Sequence, residues 1–208
     1  MLYTCLPVYL FTRVLVSLFT CFLVYFDPGE NMDQPLDFIP VKTRKPLFIA
    51  LLIWTLILFA IFRPLSAPLT TSAAPSGIVS FELARTPENA QAMVASWNGR
   101  AQLFAAFGLG FDYLFMPSYA FTIALACLLA AGRHPGAFAK IGAWLGWGAF
   151  LAALFDAVEN IGLWNSLLGP VGATWPQVSY WCATFKFALI LLGILYGLVG
   201  WFWPRKRS

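Results

Sequence analysis

Asp156, Glu159 and Asn160 are the residues of this chain best placed to do chemistry. They sit in Phe155-Asp156-Ala157-Val158-Glu159-Asn160, inside a stretch otherwise apolar enough to span a bilayer. Helical spacing of i, i+3 and i+4 puts the three polar side chains on one face. In lipid such a face turns toward protein or water, because an isolated charge in hydrocarbon is costly. Asp112 and Lys186, two further ionisable residues, lie in neighbouring apolar stretches. Carboxylates beside one lysine can form a fixed ion-pair network, bind a small cation or pass a proton. They can also act as the acid/base and anion-holding groups of a membrane-embedded enzyme on a lipid-type substrate.

Other chemistries find less in the sequence. HExxH, GxSxG and Walker-type lysine loops are absent from it. Its single histidine, His134, precedes Pro135 with no Cys or carboxylate beside it, so neither a metal centre nor a cofactor is expected. The Asp-x-x-Glu-Asn spacing offers oxygen ligands to Mg²⁺ or Ca²⁺, but short acidic spacings are common by chance. Cys5, Cys21, Cys127 and Cys182 form no CxxC pair and read as small buried hydrophobes. Cys182 lies one turn before Lys186, close enough for the ammonium to act on the thiol. It joins Glu82, Trp97 and Tyr119 as lid or accessory candidates.

Composition supplies the setting. The 208 residues are 60% hydrophobic and 11% charged, with a mean hydropathy of +0.75. Soluble domains carry roughly 25% charged residues, so the chain reads as a polytopic membrane protein whose partner is the bilayer. The net charge of +4 is modest and shows no basic run suited to nucleic acid.

Four apolar runs are long enough to position the cluster: residues 46–62, 101–131, 141–163 and 174–203. The fold expected is an all-α transmembrane bundle, residues 32–208, with a loop at 64–100. Residues 1–31 stand apart. Their apolar run at 5–26 has the length of a fifth span but contains Arg13, and Met32-Asp33-Gln34-Pro35 reads equally well as an ordinary start after an upstream mis-start. Within the loop, residues 78–84 form a short apolar piece carrying Glu82. Thr86-Pro87 opens a helix on which Ala90, Met93, Val94 and Trp97 share a face. The expectation is a short interfacial helix anchored by Trp97, either a lid or simply a packed surface element. Arg63-Pro64 is expected to end the first run, and Pro117 to kink the second. Asp112, Phe115, Met116 and Tyr119 share a face of that second run. Gly142/Gly146 and Gly193/Gly197 have the small-xxx-small spacing of close helix pairs. Thr174 and Gln177 have the spacing of a capping box.

Basic residues set an orientation. Lys42, Arg44, Lys45, Arg133, Lys140, Arg205, Lys206 and Arg207 fall on one side if four helices cross in turn. By the positive-inside rule that side is cytoplasmic, as in a bacterial inner membrane, and loop 64–100 is outside. Asp112, Asp156, Glu159 and Lys186 then all lie in the outer half of the bilayer. Unpaired, such charges would cost roughly 2.5–3.5 kcal/mol each. They must pair, protonate or meet water, and at least one of the three carboxyls is expected to hold a proton at neutral pH. The leading reading is a membrane protein with a structural, assembly or binding role. A proton- or cation-linked small-solute transporter, which at this size implies a homo-oligomer, stands beside it, and the lipid-substrate enzyme is a third reading.

Overall fold

A computed structural model describes residues 34–169, 172 and 174–204. The apolar run at 5–26, the alternative start at Met32, Cys5, Cys21 and the basic residues Arg205, Lys206 and Arg207 lie outside the described residues. Among the described residues six α-helices follow one another: α1 (Val41–Ser66), α2 (Ile78–Glu82), α3 (Pro87–Ser96), α4 (Gly99–Ala131), α5 (Ala137–Leu168) and α6 (Thr174–Phe202). No strand occurs among the described residues. Four helical stretches are long and apolar enough to cross a membrane: Val41–Leu69, Gly99–Ala131, Ala137–Leu168 and Thr174–Phe202. The chain is therefore an all-α, multi-pass membrane protein. In hydrocarbon a helix satisfies every backbone polar group within itself, which is why apolar runs of this length take that form.

α4 is the central helix. α1, α5 and α6 all pack against it, and α5 and α6 pack most extensively on each other. α1 leans on α4 and leaves Ile49, Ile53, Leu56 and Ile57 exposed, as a lipid-facing helix would. Gly162 on α5 lets α6 come close, since a Cβ there would collide with the Ser179 hydroxyl. Gly193 likewise receives Ile123 of α4, while Gly142 receives the ring of Tyr196. The small-xxx-small spacings thus seat side chains from the neighbouring helix.

Several boundaries differ from those expected. Pro64 does not end α1. It removes one backbone bond, and the helix runs on to Ser66 before narrowing to a 3-10 turn, Ala67–Leu69. α5 outlasts its apolar run, because Asn165 and Ser166 donate back to the carbonyls of Ile161 and Gly162 and keep the last turn helical. Asn98 caps α4 by accepting from the Ala101 N–H at 2.9 Å. α6 begins at Thr174 itself.

Residues 67–98 form a cap over one end of the bundle. Phe81, Ala90 and Trp97 pack with Leu69 and with Ala101, Ala105 and Leu109 of α4 in one apolar cluster. The Thr86 side chain caps α3 as expected, accepting from Asn89 N–H. Trp97 is a correction. It is no surface anchor but 3% exposed, its indole N–H donating to the Leu69 carbonyl at 2.8 Å and its ring edge-on to Phe81. A buried indole with its one donor satisfied pins the cap rather than the lipid interface. Left-handed backbone at Gly77 and Arg85 brackets α2. These turns aim α2 down into the bundle and deliver Glu82.

Candidate functional site

Four elements converge beneath the cap. α5 presents Asp156, Glu159 and Asn160 inward from one face, all three buried. α6 presents Lys186, buried, one turn after Cys182. α4 presents Asp112 and Tyr119, and α2 presents Glu82. The short spacing on α5 and the close approach at Gly162 bring the charges of α5 and α6 together.

Lys186 Nζ lies 2.6 Å from Asp156 Oδ1 and 2.8 Å from Glu159 Oε2. Glu82 Oε2 stands farther off, at 3.8 Å. The second oxygen of Asp156 accepts the Tyr119 hydroxyl at 3.0 Å. Asp112 does not touch the lysine. It accepts instead from the Asn160 side-chain amide at 2.8 Å, and the same amide reaches the Leu109 carbonyl. Ser179 donates to the Glu159 backbone carbonyl, and Tyr113 to that of Ala157. The polar contacts thus form a network of two neighbouring groups, Lys186 with Asp156, Glu159, Glu82 and Tyr119, and Asp112 with Asn160, which together join α2, α4, α5 and α6.

Its acceptors outnumber its donors. The Glu82 and Glu159 carboxyls are neighbours, standing 3.8 and 2.8 Å from the same Lys186 Nζ. Glu82 Oε2 and Glu159 Oε1 are buried and find no hydrogen-bond donor among the described residues. Two adjacent carboxyl groups without a donor between them are matched by one shared proton, which turns one acceptor into a donor. Glu82 stands on the cap, and burial raises its carboxyl above the ordinary range. Lys186 pulls the other way, and Asp156 pushes it up again.

The network is not sealed. A cavity of about 480 Å³ descends from the cap to Lys186. Glu82, Asp112, Asp156, Asn160, Lys186 and Tyr119 meet it, and Phe59, Phe62, Phe104, Phe115 and Phe187 supply much of its apolar wall. Arg63, exposed at the end of α1, also borders it. Glu159 is 0% exposed and lies behind Lys186, outside the lining. The cluster therefore has two halves. Glu159 holds the lysine from behind, while Glu82, Asp112 and Asp156 face open space.

Of the accessory candidates, Tyr119 and Glu82 join the network, whereas Cys182 is buried on α6 and Trp97 lies within the cap core; neither lines the cavity. Sequence reasoning ranked Glu82 too low. Its signal was a lone carboxylate in an apolar piece between two turn regions. Phe59, Phe62, Phe104, Phe187, Tyr113 and Ser179 have no such signal, since scattered Phe, Ser and Tyr residues in apolar helices carry no distinguishing spacing. No family model, curated protein or solved structure matches this chain.

Proposed function

We propose that the cavity binds a small organic cation, and that the cation exchanges with a proton held in the carboxyl network, as in a proton-linked small-solute carrier. One observation carries this reading: Glu82, Asp112 and Asp156 meet an open cavity beside Lys186, and the buried Glu82 Oε2 there has no hydrogen-bond donor among the described residues. Three carboxyls stand around one ammonium, Lys186, and Asp112 lies close by on Asn160, so full ionisation would leave more negative charge than that lysine balances. In a low dielectric the excess is met by protons or by a bound cation. The two are then interchangeable, and an arriving cation releases a proton. The aromatic walls suit the same ligand, because phenyl faces attract cations.

The basic end is taken as cytoplasmic in a bacterial inner membrane, which places the cavity in the outer half of the bilayer. A path across the membrane is more than a bundle of this size encloses, so the carrier works as a homo-oligomer. A structural role belongs to the other half of the network. Fully buried Glu159, with Lys186, fixes α5 against α6.

The test is proton release on binding. Purified protein in lightly buffered nanodiscs is titrated with tetraphenylphosphonium, and pH is followed with a soluble indicator. Wild type should acidify the medium as the probe binds, and Asp112→Asn with Glu82→Gln should not. Binding without proton release, or no binding of organic cations of any size, would sink the reading.

A further inference from the structure

Resting on the cation-exchange reading, we infer that the ligand is an amphipathic cation, an amine or quaternary ammonium on an apolar body, and that it reaches the carboxyls sideways from the hydrocarbon through a slot between α1 and α6.

The slot follows from how the helices pack. Both α1 and α6 lean on α4, but among the described residues they make no comparable contact with each other. Phe59 and Phe62 of α1 form one wall of the cavity, and Phe187 and Ile190 of α6 form another. Phe59 and Phe187 are at once cavity-lining and exposed, at 58% and 40%, so the cavity communicates with the outside between them. Depth decides what lies there. Phe59 comes ten residues before Leu69, the last residue of its span, which places it about 15 Å down the helix at ~1.5 Å per residue. The hydrocarbon core is ~30 Å thick, so this opening faces acyl chains rather than headgroups.

Charge points the same way. Arg63 borders the cavity where α1 meets the cap and is exposed. A cation approaching from water meets that guanidinium first, whereas one approaching from the bilayer meets only phenylalanine and isoleucine. Size adds a bound, since about 480 Å³ is the volume of a drug-sized site. The ligand thus has an apolar body that dwells in lipid, an aromatic passage that tolerates it, and a cationic head that finds the carboxyls.

The experiment uses the full chain in nanodiscs, with n-alkyltrimethylammonium probes from methyl to decyl and protein-free nanodiscs as the partitioning blank. Affinity referred to the aqueous concentration should rise about fourfold per methylene until the cavity is full. Phe59→Trp should slow association of the decyl probe tenfold or more, and by a clearly larger factor than that of tetramethylammonium; equal slowing of both would contradict the lateral route. Arg63→Gln should speed tetramethylammonium and not decyl. If affinity ignores chain length while the probes still release a proton, the amphipathic ligand and the lateral route are wrong and the exchange reading stands. If no probe binds or releases a proton, the exchange reading itself fails.

Discussion

Lys186 and Asp156 stand 2.6 Å apart on adjacent helices, and the free oxygen of that carboxylate takes the Tyr119 hydroxyl from a third. One carboxylate thereby ties α6 to α5 and α5 to α4. With Glu159 also 2.8 Å from the ammonium, the lysine is the cation around which the buried end of the bundle is arranged.

Removing that cation should be severe. Lys186→Met leaves Asp156 and Glu159 buried without a counter-charge, and breaking a buried pair from one side typically costs about 3–5 kcal/mol. Thermal unfolding in detergent should show a large loss, much of it regained in Lys186→Met/Glu159→Gln.

Glu82 gives a pH dependence of the opposite kind from an ordinary surface carboxylate. Burial raises its folded-state value above the unfolded one. Its neutral form therefore stabilises the fold at acidic pH, and that contribution is lost as pH rises through the raised value. Glu82→Gln keeps the neutral shape and can donate to Glu159. Its stability should be flatter than wild type as pH rises from the ordinary carboxylate range through the raised value; an unchanged slope would contradict the buried assignment.

The close approach at Gly162 offers a paired test. A methyl there meets the Ser179 hydroxyl, so Gly162→Ala should destabilise by about 1–3 kcal/mol, the usual range for overpacking. Gly162→Ala/Ser179→Ala removes the obstructing oxygen and should recover most of the loss in the same thermal assay.

Trp97 tests the cap separately from the bundle. Trp97→Phe leaves the Leu69 carbonyl, buried in the cap, without its donor. A buried acceptor left unmatched costs about 1–3 kcal/mol. Limited proteolysis should nick residues 67–98 sooner than in wild type, while the four spans stay protected.

Much of this architecture could be read from the chain. Runs of apolar residues with few charges dictate helices in lipid, so the four spans followed from composition and length. That Asp156, Glu159 and Lys186 come to one level of the bundle followed from helical rise alone. What escaped was everything decided by tertiary packing. Trp97 reads as an interface anchor on an amphipathic face, and only the fold of residues 67–98 back over Leu69 buries it. Glu82 reads as a loop carboxylate until the turns at Gly77 and Arg85 aim its helix inward. The cavity has no sequence signature, since it is the space left where α1 and α6 both lean on α4.

The central claim is that Glu82 and Glu159 share a proton which an organic cation displaces. Infrared difference spectroscopy measures this most directly, comparing the protein before and after addition of tetraphenylphosphonium at neutral pH. Wild type should lose a protonated-carboxyl band as the probe binds, and Glu82→Gln should show no such loss. A resting wild-type protein with no protonated-carboxyl band, or one whose band survives saturation with the probe, would contradict the account.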